Sequence, residues 1–527
     1  MIPEQVTIWL ERIGDRINPI LVKETRQALK SRQFSGTFML LLVASLLVSF
    51  GGVALVGPNI DYSAAGSSFF VAYFAVLAFA IFMVVPFGAY RSLAAEQEER
   101  TYELLSITTL KPSQIVVGKL LSAMIQMFIY YSAIAPFMAF TYLLKGIDIL
   151  VILLLLFMAL LGSVAFSMVG LFLATFSTRR SWQVLLSVVM IAGLGFVTIG
   201  SVPLAWAICE VSGGEIRDEY FWIGMAGFMT GYATTFALLL QLSVSQLTFE
   251  SDNRSSKVRV VLVIQFLSAL AWTAWGWLVE EQGDRELLEV TAGIGCFSWA
   301  VVGSFLIAEP VGLSHRVARQ IPRSGLGRAL ATLFFPGPGT GLAFTLIHLV
   351  CIVAVVGLAE LLEPWLVVVT RMRGTRGDAT TMTIAMVSYA FFYVGLGALI
   401  VRLIRRFRPV PPIGGAAITV ILALAGTLIP NFFAALRPAF YQTYAFWQIS
   451  DPIATLDQII KSPSVSSALV LVPLGMAAIV FFLNLPAMSR EVFAISTAGV
   501  LPRTEPEVEE AAVANEPVEL TAAAETT

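Results

Sequence analysis

The chain has 527 residues, of which 57% are hydrophobic and only 13% are charged. Soluble domains carry about 25% charged residues, so the composition excludes an ordinary soluble protein and indicates a polytopic membrane protein. The net charge of −2 says little, because the charges are sorted by position along the chain, and we expect no nucleic-acid partner. With two histidines and with Cys209, Cys296 and Cys351 all in or beside apolar runs, we expect no metal site and no disulfide.

The residues before the first span, 1–36, form a basic amphipathic segment. Asn18 is a good N-cap, and Pro19 suits the first position of a helix. Apolar residues then fall on one side of this helix, whereas Lys23 and Arg26 fall on the other. Such a helix is typical of the interface of an anionic cytoplasmic leaflet. A solvated helix before the first span is the alternative.

Twelve apolar runs follow, each close to the ~20 residues that cross the hydrocarbon core of a bilayer. Lipid offers the backbone no hydrogen-bond partners, so the runs are expected to be helices. The predicted fold is therefore all-α, a polytopic transmembrane helical bundle of about 12 spans with interfacial and coupling helices. The runs lie near residues 37–57, 68–90, 118–144, 149–177, 182–208, 220–248, 260–279, 288–308, 338–360, 380–403, 413–434 and 466–488.

The distribution of basic residues predicts the orientation of the chain. With a cytoplasmic N-terminus, most of the 33 Lys and Arg residues lie in the inner segments, and an even number of spans then places the C-terminus on the same side. We therefore expect a multi-pass protein of the cytoplasmic membrane with both termini in the cytoplasm. One predicted outer loop, with Arg371, Arg373 and Arg376, runs against this rule and would fit a different span count there.

A charged stretch, Ala94 to Leu121, separates the second and third runs. Glutamates crowd its first half, and Leu104, Leu105 and Leu110 then give a short helix an apolar side. Pro112 fits poorly in a helix interior, so it ends the short helix and begins the next one. We interpret the stretch as a membrane-surface helix whose polar face meets a soluble protein. An ordinary solvated loop is the alternative.

The spans hold few groups for chemistry or ion coupling. By this placement, Lys119, Arg402 and His348 are the residues within them that can carry charge. Ion-driven transporters need buried titratable relays, and a lone histidine on an apolar helix is more often a packing residue. No phosphate-loop motif or catalytic constellation occurs, so energy for uphill transport would have to come from a partner.

Two of these stretches resemble the membrane subunits of type-2 ABC transporters, which are exporters. They are NPILVKETRQALKSR before the first span and EQEERTYELLSITTLKPSQIVVGKLL between the second and third. In that family, an amphipathic helix lies at the cytoplasmic interface, and the loop between spans two and three carries a coupling helix that docks into a groove of the ATPase subunit. The resemblance covers about residues 15–250.

The resemblance implies roles for particular residues. Arg100 to Leu105 match a Gly-Thr-Leu-Glu-Leu-Leu core with Arg100 in place of glycine, Thr109 to Pro112 match a Thr-Pro-Leu turn loosely, and Gly118-Lys119 match a Gly-Lys pair. The implied interface-helix residues are Asn18, Pro19, Lys23, Glu24 and Arg26. The implied ATPase-coupling residues are Glu96, Glu99, Thr101, Glu103, Leu104, Leu105, Leu110, Gly118 and Lys119.

Residues 250–490 depart from the family pattern. The expected domains are the interface segment 1–36, a six-span half 37–249 with its coupling loop 94–117, a second six-span half 250–490, and a disordered acidic tail 491–527. In the loop Glu309 to Leu330, Glu309 and Gly327-Arg328 echo Glu96 and Gly118-Lys119, but the spacing differs and the leucine core is missing.

The sequence therefore predicts the permease subunit of an ATP-driven exporter. It is not expected to be an enzyme or to hold a cofactor, because ATP would be bound by a separate ABC ATPase subunit. A homodimer, a second permease chain and a single-chain translocation unit all stay open, as does the cargo. A non-transporting membrane scaffold built on the same helical half is the alternative, and the absence of a catalytic constellation disfavours a membrane-embedded enzyme.

Overall fold

A computed structural model describes most of the chain. The described residues are 18–56, 65–99, 110–144, 146–176, 180–210, 215–249, 251–279, 285–322, 324–366, 379–436, 444–461 and 463–498. Their regular structure is helical without strands, and twelve helices are long and apolar enough to cross a membrane. The predicted all-α polytopic bundle is therefore confirmed, and each predicted run overlaps one of these helices.

Some sequence predictions lie outside the described residues. They concern residues 1–17, the centre of the charged stretch at 100–109, the arginine-rich loop at 371–376, and the tail from residue 499. The expected tail at 491–527 begins too early, because the last helix continues to Ala498. The backbone hydrogen bonds of a helix do not have to stop where its hydrophobicity falls, so the chain stays helical past the apolar run.

The chain divides into two compact units, Met1–Gly283 and Asp284–Thr527. Seven of the candidate spans lie in the first unit and five in the second. This division falls after the seventh span, whereas the sequence pattern starts the second half at residue 250. The seventh span packs along the sixth, which accounts for its place in the first unit. The two six-span halves stay a prediction.

The first unit consists of one amphipathic helix followed by the spans, the second of which contains a π-helical turn. Its helices are α1 (Pro19–Leu29), α2 (Arg32–Val56), α3 (Gly66–Ala78), α4 (Val85–Glu98), α5 (Pro112–Leu143), α6 (Ile149–Ala174), α7 (Arg180–Glu210), α8 (Glu219–Leu247) and α9 (Ser256–Val279).

The span made of α3 and α4 is the most enclosed in this unit. Its two helices are joined by a π-helical turn, Phe79–Val84, just before Pro86. Proline has no backbone N–H, so the preceding turn cannot keep the regular helical ladder. The hydroxyl of Ser163 on α6 donates a 2.7 Å hydrogen bond to the Ile81 carbonyl and so compensates for part of the irregularity.

Side-chain hydroxyls link the apolar helices of the first unit. Tyr130 on α5 lies 2.6 Å from Thr37 on α2, and Tyr73 on α3 lies 2.7 Å from Ser49 on α2. Hydrophobicity does not drive membrane helices together, because lipid is as apolar as their side chains. Close packing of small residues and hydrogen bonds of this kind supply the attraction instead.

The second unit is arranged around a central span. Its helices are α10 (Arg285–Leu306), α11 (His315–Ala318), α12 (Gly325–Thr332), α13 (Pro338–Leu366), α14 (Ala379–Ile404), α15 (Pro412–Ala435), α16 (Pro452–Lys461) and α17 (Pro463–Ala498). The most enclosed of its spans is α14, which packs against α10, α13, α15 and α17.

At one end of this unit, buried polar groups fix the short helix α16. The carboxylate of Asp451, just before α16, accepts a 2.7 Å hydrogen bond from Asn431 on α15. Tyr389 on α14 donates to the Ile449 carbonyl and lies 3.0 Å from the hydroxyl of Thr455 on α16. These bonds hold α16 against α14 and α15, and they satisfy the Asp451 carboxylate and the Ile449 carbonyl within the protein.

Gly170 on α6 provides a test of the packing. A Cβ added there would meet the Pro86 carbonyl oxygen at 2.9 Å, whereas one added at Gly193 on α7 would meet nothing within 4 Å. We expect Gly170→Ala to destabilise the protein by about 1–3 kcal/mol, because the backbone must move. Gly193→Ala should leave stability unchanged or raise it slightly. Thermal unfolding of both purified variants checks this, and equal melting temperatures would contradict the packing described.

Candidate functional site: a buried charge cluster at the α1, α4 and α5 junction

The short helix α1 begins as its sequence predicts. The side chain of Asn18 accepts a 3.1 Å hydrogen bond from the backbone N–H of Ile20, and Pro19 occupies the first turn. The basic residues Lys23 and Arg26 are exposed, as expected for the polar side. Ile20 and Glu24, one turn apart, are both buried. The helix therefore buries a carboxylate along with its apolar side, and sequence patterning did not predict that.

Helix α1 packs against the first turns of α5. The Asn18 side-chain amide donates a hydrogen bond to the Gln114 carbonyl. A Cβ added at Gly118 would lie 2.9 Å from the Asn18 amide nitrogen and 3.0 Å from the Ile20 Cβ. Only a residue without a side chain lets the two helices approach this closely. The glycine of the predicted Gly-Lys pair thus has a packing role.

Lys119, the next residue, carries a positive charge into this contact. Its side chain is 1% exposed, and its ammonium lies 3.0 Å from a Glu24 carboxylate oxygen on α1. The same ammonium lies 3.1 Å from a Glu96 carboxylate oxygen on α4 and donates to the Ser92 carbonyl at 3.2 Å. One cation therefore joins three helices.

Among the described residues, a second lysine also lies near the two carboxylates. The ammonium of Lys23 lies 3.6 Å from the Glu96 carboxylate and 4.0 Å from that of Glu24, and its side chain is 61% exposed. Lys23 and Lys119 thus face two carboxylates, one from the exposed side and one from within. A buried ion pair of this kind is costly to break, because loss of one partner leaves an uncompensated charge in a poorly solvated place.

The cluster lies at the two ends of the charged stretch. Of the predicted coupling loop 94–117, residues 94–98 belong to α4, and α5 begins at Pro112 as its sequence predicts. Glu99 directly follows α4 and is exposed, whereas Leu110 is partly buried. Thr101, Glu103, Leu104 and Leu105 lie outside the described residues. Because Glu96 and Lys119 are paired, both ends of the stretch are fixed to each other and to α1.

Glu96 differs from its expected role. The sequence predicted that the Glu96 carboxylate would meet a partner protein. In the structure, one of its oxygens faces Lys119 and Lys23 of its own chain. The signal for this pairing was present in the sequence. Lys119 opens an otherwise apolar run, and Glu24 is the one acid of a basic helix, so each needed an opposite charge.

The other titratable residues that the sequence placed within spans contact neighbouring groups of the chain. His348 stacks on Trp299 with ring centroids 4.0 Å apart, and its Nδ1 lies 2.7 Å from the Phe344 carbonyl oxygen. Arg402 donates a 3.0 Å hydrogen bond to the side chain of Asn484. These contacts fit the interpretation of His348 as a hydrogen-bonded packing residue.

Comparison of the chain with protein-family models, with curated proteins and with solved structures gives no match.

Replacing Lys119 tests whether the cluster holds the junction together. We expect Lys119→Met to lower the free energy of unfolding by about 3–5 kcal/mol, because the carboxylates of Glu24 and Glu96 lose their buried cation and keep only the exposed Lys23 nearby. The same change at Lys111, which is exposed and lies just before α5, is the matched control. Thermal unfolding in detergent measures both. The cluster would lack the assigned role if Lys119→Met and Lys111→Met melted at the same temperature.

Proposed function

We propose that this protein is the permease subunit of an ATP-driven exporter similar to type-2 ABC transporters, and that its ATPase is a separate chain. The observation that carries the proposal is the pairing of Lys119 with Glu24 and Glu96, which unites the interface helix with both ends of the loop proposed to dock the ATPase. The proposal places the loop and both termini in the cytoplasm.

Such a function requires a rigid connection between the docking loop and the spans. A movement of an ATPase can displace membrane helices only through elements that do not yield. The loop is continuous with α4 on one side and with α5 on the other, and the buried ammonium of Lys119 prevents these ends from separating freely. A push on the loop would therefore move α1, α4 and α5 together.

The residue types in the loop between α4 and α5 support the same function. Between the fixed ends lies ERTYELLSITTL, residues 99–110, in which we expect Leu104 and Leu105 to give a short helix an apolar side. Glu99 and Glu103 would then meet basic or amide groups of the partner. Burying a leucine side chain contributes about 1.5–3 kcal/mol. We infer that the two leucines dominate docking, since exposed charge pairs contribute only about 0–1 kcal/mol each.

The double substitution Leu104→Ser, Leu105→Ser tests the proposal. The tagged wild-type chain, purified from its native membranes in mild detergent, should bring with it a phosphate-loop protein with ATPase activity. The double variant should insert and fold normally but bind this ATPase more than tenfold less tightly, because two buried leucines are lost. Affinity is measured by titrating purified ATPase onto each variant.

Leu326→Ser, Leu330→Ser is the matched control, because it removes two exposed leucines from a loop of the second unit. It should keep the ATPase bound. If this control loses the ATPase while the Leu104, Leu105 variant retains it, the coupling element lies in the Glu309–Leu330 loop. If no ATPase co-purifies with the wild-type chain, the scaffold alternative gains support and the proposed function fails.

A further inference from the structure

One end of the second unit collects three segments of the chain. They are the α10–α13 connection, the α14–α15 connection and the last turns of α17. Arg405, after α14, donates a hydrogen bond to the Ala308 carbonyl, and Arg328 on α12 donates to the Ser496 carbonyl on α17 at 2.9 Å. The three segments thus meet at the same end of the unit, which we call the arginine end.

Among the residues that the structure describes, the arginine end exposes more positive than negative charge. Its exposed arginines include Arg406, Arg408 and Arg490.

The carboxylates at this end bond inward. Glu309 accepts a 2.8 Å hydrogen bond from the backbone N–H of Gly337, and Glu491 accepts one of 2.6 Å from that of Gly339. These contacts orient both acids towards the start of α13, where the N-terminal end of the helix favours negative charge. Within the described part of the chain, the outer surface of the arginine end therefore exposes Arg406, Arg408 and Arg490, while its two carboxylates bond inward.

Helix α12 adds an apolar strip to this surface. Ser324 caps the helix by accepting a 3.2 Å hydrogen bond from the Gly327 N–H. Leu326 and Leu330 lie four residues apart, on one face, and are 76% and 67% exposed. The opposite face is held by the protein, because Thr332 is buried and Arg328 is bonded to α17. The helix is thus fixed with its leucines turned outward.

The connection that carries α12 is itself anchored. Val317, Ile321 and Phe335 form a small core with Ile495 of α17. This core fixes the position of the loop next to the end of a membrane span, so α12 cannot turn its leucines away without losing buried contacts. Val311 and Phe407, 69% and 82% exposed, add further apolar surface to the same end.

Exposed leucines beside exposed arginines match the chemistry of a negatively charged lipid surface. Apolar side chains reach the acyl boundary while basic side chains bind phosphate groups. The connection joins two membrane spans, so a bilayer is already adjacent, and binding to it costs no further translational and rotational entropy. A soluble protein partner would have to match both the charge and the leucines and would also lose that entropy on association.

We propose that the arginine end binds the headgroups of anionic lipids and that α12 lies in the membrane interface with Leu326 and Leu330 inserted at the acyl boundary. This surface belongs to the second unit, which the proposed ATPase docking does not use, so the two proposals can fail separately. The ligand class is a lipid with a net negative phosphate headgroup, and the arginines are its binding residues.

The depth of α12 tests the insertion. Single cysteines replace Leu326, Leu330 or Gln320 in a full-length chain whose three native cysteines are changed to alanine, and each carries an environment-sensitive fluorophore in nanodiscs. Gln320 is exposed in the same connection and serves as the shallow control. We expect acyl-chain spin-labelled lipid to quench the labels at 326 and 330, and aqueous iodide to quench the label at 320. Equal iodide quenching at all three positions would overturn the proposal and would fit a soluble partner instead.

The charge preference is tested with nanodiscs that contain phosphatidylcholine and phosphatidylglycerol. Arg406→Glu and Arg408→Glu should each lower the enrichment of phosphatidylglycerol around the protein about two- to fivefold, measured by native mass spectrometry of the bound lipids. Lys461→Glu is the matched control, because it makes the same charge change at the last residue of α16, next to the start of α17, and it should have no such effect. Equal enrichment in all three variants and the wild type would overturn anionic-lipid binding at this end.

Discussion

The ammonium of Lys119 has to be neutralised within the protein, because an unpaired charge in a poorly solvated interior costs several kcal/mol. Its neutralising carboxylates come from α1 and α4, and neither lies on its own helix. Much of the junction depends on this requirement. The interface helix must bury Glu24, α4 must extend to Glu96, and Gly118 must leave room for α1 to come close. The charge and the glycine beside it thus act together.

The sequence predicted the elements of the fold better than the contacts between them. The apolar runs identified the spans, and Asn18 and Pro19 identified the start of α1, because hydrophobicity and capping are local properties. Local properties also suggested that Lys119 was unusual. They did not show its partners, since Glu24 lies 95 residues earlier and only the packing of α1 on α5 brings it near. Long-range pairing of this kind is a property of the packed structure.

The ends of the helices also differ between the sequence prediction and the structure. The last apolar run ends near residue 488 in the sequence, yet α17 continues to Ala498. The charged residues Arg490 and Glu491 lie just beyond the predicted run. In the structure, Glu491 bonds to the backbone of Gly339 at the start of α13, so the extra turns have a packing function. The π-helical turn before Pro86 was also beyond local reasoning, because Ser163 of another helix stabilises it.

The two units use charge in different ways. In the first unit, a buried lysine is paired with two carboxylates at a junction of three helices, which suits an element that must transmit force without deforming. In the second unit, arginines and the leucines of α12 are exposed at the same end, which suits an element that rests on a charged surface. The proposed division of work follows from this contrast: the first unit receives the push of an ATPase, and the second is anchored by lipid.

The central claim is that Lys119 and Glu24 hold the interface helix to α5 by direct interaction. A double-mutant cycle with Lys119→Met and Glu24→Gln measures this interaction most directly, using reversible unfolding of the full-length chain in mixed micelles. Residues that share a buried ion pair show coupling energies of about 0.5–3 kcal/mol, and we expect a value of at least about 1 kcal/mol with the second substitution less damaging in the presence of the first. Additive effects, within about 0.3–0.5 kcal/mol, would mean that the two side chains do not stabilise each other and would contradict the account.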